Sequence, residues 1–545
     1  MDVNAAPAPA RSPEDTLRQT LLSRGYLRLL LLCVLLGVPI ALAAFLFVGF
    51  QHELQHWVWE SLPEAAGYDR APWWWPLPAL LLAGLILAPI VTRMPGRGGH
   101  LPVNGLGGPP LGPDALPGVV LAALATLPLG VVLGPEAPLM AVGSGLALLA
   151  VRAVRERDGG GGGGGGAAGE DGRRPGGTGT GTAGTAGTGV GTAGTGVGTA
   201  GTGTGAGGGG GAGAGGGGGA GGGAGAGGGG GAGGGVGAGG GVGGGVGVGG
   251  GGGGSRSAVV LATAGSTAAI STILGGPIVA ALMVVEAAGI AGPQLVVLLL
   301  PALLASATGA LVFTGFGQWT GLSIGGLRLP EVPPDVNPDA GDFLWGVPLA
   351  ALVAVVVSLV HGLGRATATW TGRHTARRTV ACAVGVGGCL TAYALLTGRS
   401  PENAALSGQV ALGDLAAHPH AESVATLLAL VVCKGLAWGL CLGALRGGPI
   451  FPAVLLGAAL GVACSGLPGL GTTPALALGV AAATVTVTGL PVTSSVLAVL
   501  LMGKDAADQM PLIVVSAVVA YIVAQLVRDV RVRRSPASVA AARAG

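Results

Sequence analysis

The chain has 545 residues, of which 50% are hydrophobic and only 9% charged, even though 114 are glycine. A mean hydropathy of +0.70 on such a glycine-diluted chain excludes an ordinary soluble domain. Lysines and arginines number 27 against 24 acids, a formal +3, which is too even a balance for nucleic-acid binding and acts only through its placement.

Residues 1–25 form a polar segment carrying Arg11, Arg18 and Arg24, with Arg28 just beyond. Arginine returns at the other end, at Arg528, Arg531, Arg533 and Arg534. By the positive-inside bias both termini are expected in the cytoplasm, so the number of crossings is expected to be even. The first apolar run, Leu27 to Phe50, is too long for a cleaved signal peptide and lacks a small-residue processing site, so it is expected to stay in the mature protein.

His52-Glu53-Leu54-Gln55-His56 follows at once and matches HExxH. On a helix that spacing sets two imidazoles on one face for zinc, with a glutamate as base, and Asn337-Pro338-Asp339 offers a third ligand, as in a membrane-embedded metalloprotease. The competing reading is an interfacial loop. Trp57, Trp59 and Trp73 to Trp75 flank the first two apolar runs, where amphipathic rings settle as anchors.

Pro76 to Val91 is a second apolar run, and two Gly/Pro breaks come after it. One is Gly96-Arg97-Gly98-Gly99-His100-Leu101-Pro102-Val103-Asn104-Gly105. The other is Gly134-Pro135-Glu136-Ala137-Pro138, which holds a lone carboxylate inside an apolar stretch. A carboxylate at membrane depth is costly unless it has a partner or a watery path, so Glu136 reads as functional.

Residues 159–254 are almost entirely Gly, Ala, Thr and Val, with Glu170, Asp171, Arg173 and Arg174 near the start. Such a tract has too little side-chain surface to offset its backbone entropy and is expected to be a disordered insertion. Its GxGxxG matches have no strand before them and no helix after, so they carry no nucleotide meaning. Arg152, Arg155 and Arg157 on its flank place it on the cytoplasmic side. The insertion divides a transmembrane domain of residues 26–158 and 255–528, and a basic tail of 529–545 follows. A display role for the tract is the third functional reading, against a simple linker.

Beyond it come apolar runs at Gln294 to Phe313, Phe343 to Val360 and Pro511 to Val527, each long enough to span or nearly span a hydrocarbon core of about 30 Å. Cys33, Cys382, Cys389, Cys433, Cys441 and Cys464 are scattered without a CxxC pair and read as small core residues. No metal or cofactor is expected outside the HExxH reading. His100, His361, His374, His418 and His420 read as loop or interface residues. A further break, Gly447-Gly448-Pro449-Ile450-Phe451-Pro452, precedes the helix through Gly457-Ala458-Ala459-Leu460-Gly461.

Each break puts Gly and Pro directly before an apolar helical run, which leaves unpaired N–H groups at the helix start. Such a start carries roughly half a positive charge, and several that converge make an anion site without a full cation. Partial charges replace an ion's hydration while keeping its exit fast, as conduction requires.

With the insertion set aside, four blocks in order resemble the CLC family of chloride channels and proton/chloride exchangers. Gly96 to Gly105 resembles a degenerate GSGIPE loop, with Gly99 where the family has serine. Gly134 to Pro138 is similar to GREGP, which implies a gating role for Glu136. Leu261 to Gly265, Gly276-Pro277-Ile278-Val279-Ala280 and Val285-Glu286 resemble the helix pair after GREGP. Gly447 to Pro452 is similar to the GxFxP loop, and Ala475 to Met502 echoes the C-terminal helices.

The resemblance implies an all-α polytopic membrane protein built as an inverted repeat with broken and re-entrant helices. It also implies a homodimer with one pathway per subunit, joined through Gly276 to Ala288 and Ala475 to Met502. Backbone amides of Gly99, His100, Leu101, Ala137, Ile450 and Phe451 would hold the anion. Ionised Glu136 would compete with chloride, and protonated Glu136 would swing aside, so that acid opens the path. Pro449 has no N–H, so Ile450 and Phe451 are the donors of their loop. The exchangers' proton glutamate falls at Ala287, with Glu286 one residue earlier. The pore tyrosine falls at Arg533, with Tyr521 about two turns before the expected place. These departures favour a passive channel or a loosely coupled exchanger, in the cell membrane, with Glu136 and Glu286 as the proton path if there is one.

Overall fold

In a bilayer every backbone polar group needs a partner within the chain, which leaves helices as the natural outcome for this composition. The computed structural model describes residues 13–105, 111–160, 253–271, 273–274, 276–289, 293–321, 329 and 338–533. All of them belong to one compact unit made of residues 1–160 and 239–545. Most of the tract assigned to the insertion lies outside the described residues. Its edges do not, because residues 159–160 and 253–254 are helical ends.

The order is α1 (Pro13–Leu21), α2 (Arg24–His56), α3 (Leu62–Ala65), α4 (Pro76–Arg93), α5 (Leu116–Thr126), α6 (Glu136–Gly160), α7 (Gly253–Ile270), α8 (Pro277–Ala288) and α9 (Pro293–Thr320). There follow α10 (Ala340–Gly372), α11 (Thr375–Thr397), α12 (Gln409–Ala417), α13 (Val424–Ala444), α14 (Ile450–Cys464), α15 (Thr472–Thr488), α16 (Pro491–Met502) and α17 (Ala506–Arg533). Among the described residues the only β pairing is an antiparallel bridge between Gly134 and Gly448. The protein is thus an all-α, multi-pass membrane protein: among the described residues 8 helices are long and apolar enough to cross. Among the described residues six further apolar helices, α14, α15 and α16 among them, are too short to cross alone. Leu85, Leu311, Leu359, Leu396 and Leu526 stand exposed on the helices, as a lipid-facing surface requires.

The chain is built twice. Helices α2 and α10 have 33 residues each, α8 and α16 have 12, and α9 and α17 have 28. Helix α2 packs on α7 and α9, as α10 packs on α15 and α17. In each half the second pair crosses glycine on glycine. A Cβ on Gly143 would lie 2.2 Å from the Gly265 oxygen, and one on Gly457 would lie 2.1 Å from the Gly479 oxygen. The register also repeats, since Gly143 and Gly457 each stand nine residues after a break glycine (134 to 143, 448 to 457). Pro277 and Pro491 each stand twelve after the partner glycine (265 to 277, 479 to 491).

Several expectations change. HExxH is not in an interfacial loop: no breaker separates Phe50 from His56, and α2 runs through both histidines into a π-helical turn at Trp57–Ser61. Trp59 is not an interfacial anchor, being 1% exposed with Nε1 donating 3.0 Å to the Pro128 carbonyl. Trp75 likewise donates to the Val58 carbonyl at 3.1 Å. Asp339 caps α10, accepting from the Gly341 and Asp342 amides at 2.7 and 3.1 Å, and Asn337 lies outside the described residues.

Candidate anion pathway

Pro135 and Pro449 each open a helix without an N–H to lose, and the glycines before them let the two chains touch. Gly134 N donates 2.8 Å to Gly448 O and Gly448 N donates 2.6 Å to Gly134 O, which pins the starts of α6 and α14 together. Two helix N-termini, one from each half, therefore present their partial positive charge to one spot.

Glu136 occupies that spot. It is fully buried, and its Oε1 accepts the Phe451 amide at 3.0 Å, with the Ile450 amide also acting on the carboxylate. Its Oε2 has no hydrogen-bond partner among the described residues. The carboxylate lies where a Cβ on Gly448 or Gly134 would be, 1.8 and 2.2 Å from Oε2. The site is thus an amide-lined cradle filled by the protein's own carboxyl group. Ala137 follows Glu136 in the first turn of α6, where N–H groups have no intrahelical acceptor.

The Gly96–Gly99 loop lies on another side. Four successive residues there have positive φ, from 49° at Arg97 to 99° at Gly99, which glycine alone adopts freely. The Gly99 N–H is spent within the loop, donating 2.8 Å to Gly96 O, so it is not an open anion donor as expected. The His100 and Leu101 amides donate to no backbone carbonyl among the described residues.

Two cations that motif reading passed over sit beside this apparatus. Arg446, directly before Gly447, is 8% exposed; its Nε donates 3.1 Å to Arg97 O and its Nη1 3.1 Å to Leu445 O. It ties the first break to the third and stands within electrostatic reach of His100. Lys434 is fully buried and donates to the carbonyls of Ala404, Ala405 and Leu406 at 2.9, 2.9 and 3.3 Å. Leu406 in turn donates 3.4 Å to Gly130 O, just upstream of Glu136. Among the described residues neither cation has an acidic partner. The available signal was that they are the only charged residues between Glu422 and Lys504.

Glu286 is elsewhere. Its two oxygens accept from Val492 N, Thr493 N and Thr493 Oγ1 at 2.9, 2.7 and 2.7 Å, so the carboxylate caps α16. Tyr521 and Arg533 lie on α17, away from the α6–α14 bridge in the chain's order. His56 pairs with Glu60 at 3.2 Å and with Ser61 at 3.4 Å, and among the described residues no three His, Cys, Asp or Glu groups are placed to hold a metal. The six cysteines are free.

The profile of the voltage gated chloride channel family matches residues 219–525, more than half of the chain. Among curated relatives, ion-transport protein YfeO of Salmonella paratyphi A is 32% identical over 126 residues, 23% of this chain and 31% of that protein. Its counterpart from Salmonella typhimurium aligns to the same extent. The chain thus spans about a third of the length of these relatives. Two solved structures share the fold. A CLC-type fluoride/proton antiporter has a TM-score of 0.57 at 16% identity, with 91% of this chain and 95% of that one covered. A slow cyanobacterial Cl-/H+ antiporter has a TM-score of 0.62 at 13% identity, with 92% and 95% covered.

Proposed function

The chain belongs to the voltage-gated chloride channel (CLC) family, and from that premise we propose that it carries chloride or a similar small anion across the cell membrane through a path gated by Glu136. The observation that supports this most is the occupied cradle. A buried carboxylate with one unpartnered oxygen rests on the Phe451 amide at the bridged starts of α6 and α14. An anion of similar size needs the same donors, so carboxylate and anion exclude each other. Ile450, Phe451, Ala137, His100 and Leu101 supply backbone donors, and Arg446 adds a full positive charge beside a loop in which Gly99 offers no hydroxyl.

Proton coupling is loose or absent in this reading, because Glu286 is engaged by three donors at the start of α16 and is poorly placed to shuttle protons. The protein works as a transporter and not as an enzyme. Both termini face the cytoplasm, and two copies pair through α8 and α16, whose Ile278 and Val492 are exposed. No observation favours the metalloprotease, since His56 is engaged by Glu60 and Ser61.

The test is anion efflux from liposomes holding purified protein, with external pH recorded, for the native chain and Glu136→Gln. Flux that falls with rising pH in the native chain and loses this dependence in the variant supports the gate. Absence of flux from both proteins rules out the reading, and unchanged pH dependence in the variant removes Glu136 from it.

A further inference from the structure

A second basic site lies between α10 and α17, apart from the pathway. Helix α10 carries His361 and Arg365 one turn apart, and α17 carries Arg528 and Arg531 at a spacing of three, so each helix turns its pair to one face. The two helices pack together, Arg365 stands within electrostatic reach of both Arg528 and Arg531, and all three stand within reach of His361. Like charges held this close repel, and nothing acidic offsets them. Among the described residues none of the three has a carboxylate partner, Asp529 projects as an exposed residue, and residues 534–545 contain no acid.

Two further observations mark the place as built for a ligand. His361 is 8% exposed, yet its Nε2 has no hydrogen-bond partner among the described residues, and buried polar atoms rarely stay unpaired without a reason. Gly362 gives Arg531 its seat: a Cβ there would lie 2.7 Å from Nη1 and 3.0 Å from Nη2, so the guanidinium lies flat on the helix backbone. Arg528 is fixed by the Thr486 carbonyl at 3.4 Å. Planar guanidinium donors suit the oxygens of a phosphate.

The same two helices say what the phosphate is attached to. Exposed apolar residues on both helices, Leu359 on α10 and Ile522, Leu526 and Val530 on the opposite face of α17 from the arginines, make lipid the neighbour of this pair. Basic pockets between transmembrane helices hold anionic lipid headgroups through their phosphate. We propose that Arg365, Arg528, Arg531 and His361 bind the phosphate of an anionic phospholipid.

The test is thermal unfolding of the full purified chain in detergent, followed by tryptophan fluorescence, against added short-chain phosphatidylglycerol, phosphatidylcholine or inorganic phosphate. Phosphatidylglycerol is expected to raise the midpoint saturably, and phosphatidylcholine much less. Arg365→Gln, an exposed change that does not disturb packing, is expected to weaken half-saturation about tenfold, as is loss of one charge-assisted hydrogen bond. Gly362→Ala, which displaces Arg531, is expected to act in the same direction while Arg531 itself remains. Equal response to inorganic phosphate, lost in the same variants, assigns the phosphate site to a free ion and supports the shared chemistry. A phosphatidylglycerol response that both variants leave intact, or no response to any of the three, overturns the site.

Discussion

Two acids placed in apolar helices meet opposite fates. Both oxygens of Glu286 are met by donors at a helix end; Glu136 accepts from the Phe451 amide on Oε1 but keeps Oε2 unpaired in a fully buried place. Leaving a buried carboxyl oxygen unpaired costs free energy, which supports the proposed gating role of Glu136. The cradle depends on glycine for room: a methyl on Gly448 would meet Glu136 Oε2 at 1.8 Å and its Cδ at 2.6 Å. Gly448→Ala is therefore expected to expel the carboxylate, to destabilise the native chain by about 1–3 kcal/mol as overpacking does, and to cost less than half as much in a Glu136→Ala background. A double-mutant cycle read by thermal unfolding measures this coupling. Additive costs would place the carboxylate outside the cradle.

Local chemistry made the elements legible where a break announces itself. Gly-Pro steps marked the starts of α6, α8 and α14, because Gly and Pro act on the backbone next to them. The same reasoning failed where the deciding partner is far away in sequence. Trp59 has the look of an interfacial ring, but the Pro128 carbonyl 69 residues on takes its N–H into the core. Lys434 and Arg446 carried no motif, since their acceptors are carbonyls of distant loops. The break at Gly99 suggests an open amide, whereas its own loop closes on it.

The loop that Lys434 clamps yields a prediction of its own. Glu402 lies in the short turn Pro401–Asn403 outside the spans, and burial first, then the nearby Glu60, push its carboxyl up to about 7 from 4.5. The folded chain holds that proton more tightly than the unfolded one, so the stability it contributes is present at low pH and lost as pH rises from 4.5 to about 7. Glu402→Gln is expected to leave the unfolding midpoint unchanged at pH 4 and raise it at pH 8, with the gap opening across that window. A variant less stable at pH 8 than the native chain would mean that the ionised carboxylate is favoured in the fold.

The duplication explains why one carboxylate suffices for the whole molecule. Gly134-Pro135-Glu136 and Gly448-Pro449-Ile450 occupy equivalent steps of the two halves, and the bridge brings them face to face. One half supplies the carboxylate, and the other supplies amide donors beginning at an apolar residue, so the site exists only when both halves are assembled. That assembly rests on reciprocal glycines, which sequence showed as helix-weakening residues without revealing their partners. Alanine is the better helix former by about 1 kcal/mol, but a methyl at Gly143 or Gly457 would stand 2.2 or 2.1 Å from a backbone oxygen that cannot rotate away. Gly143→Ala and Gly457→Ala are each expected to destabilise by about 1–3 kcal/mol net, by similar amounts and with loss of flux, because the crossing sets where the cradle lies. Gly388→Ala is the internal control: it sits within α11 with nothing within 4 Å of its would-be Cβ, and is expected to stabilise by about 0.5–1 kcal/mol. Thermal unfolding of the three variants decides the matter by sign. If the two crossing variants behave like Gly388→Ala, the halves are not held together at their glycines.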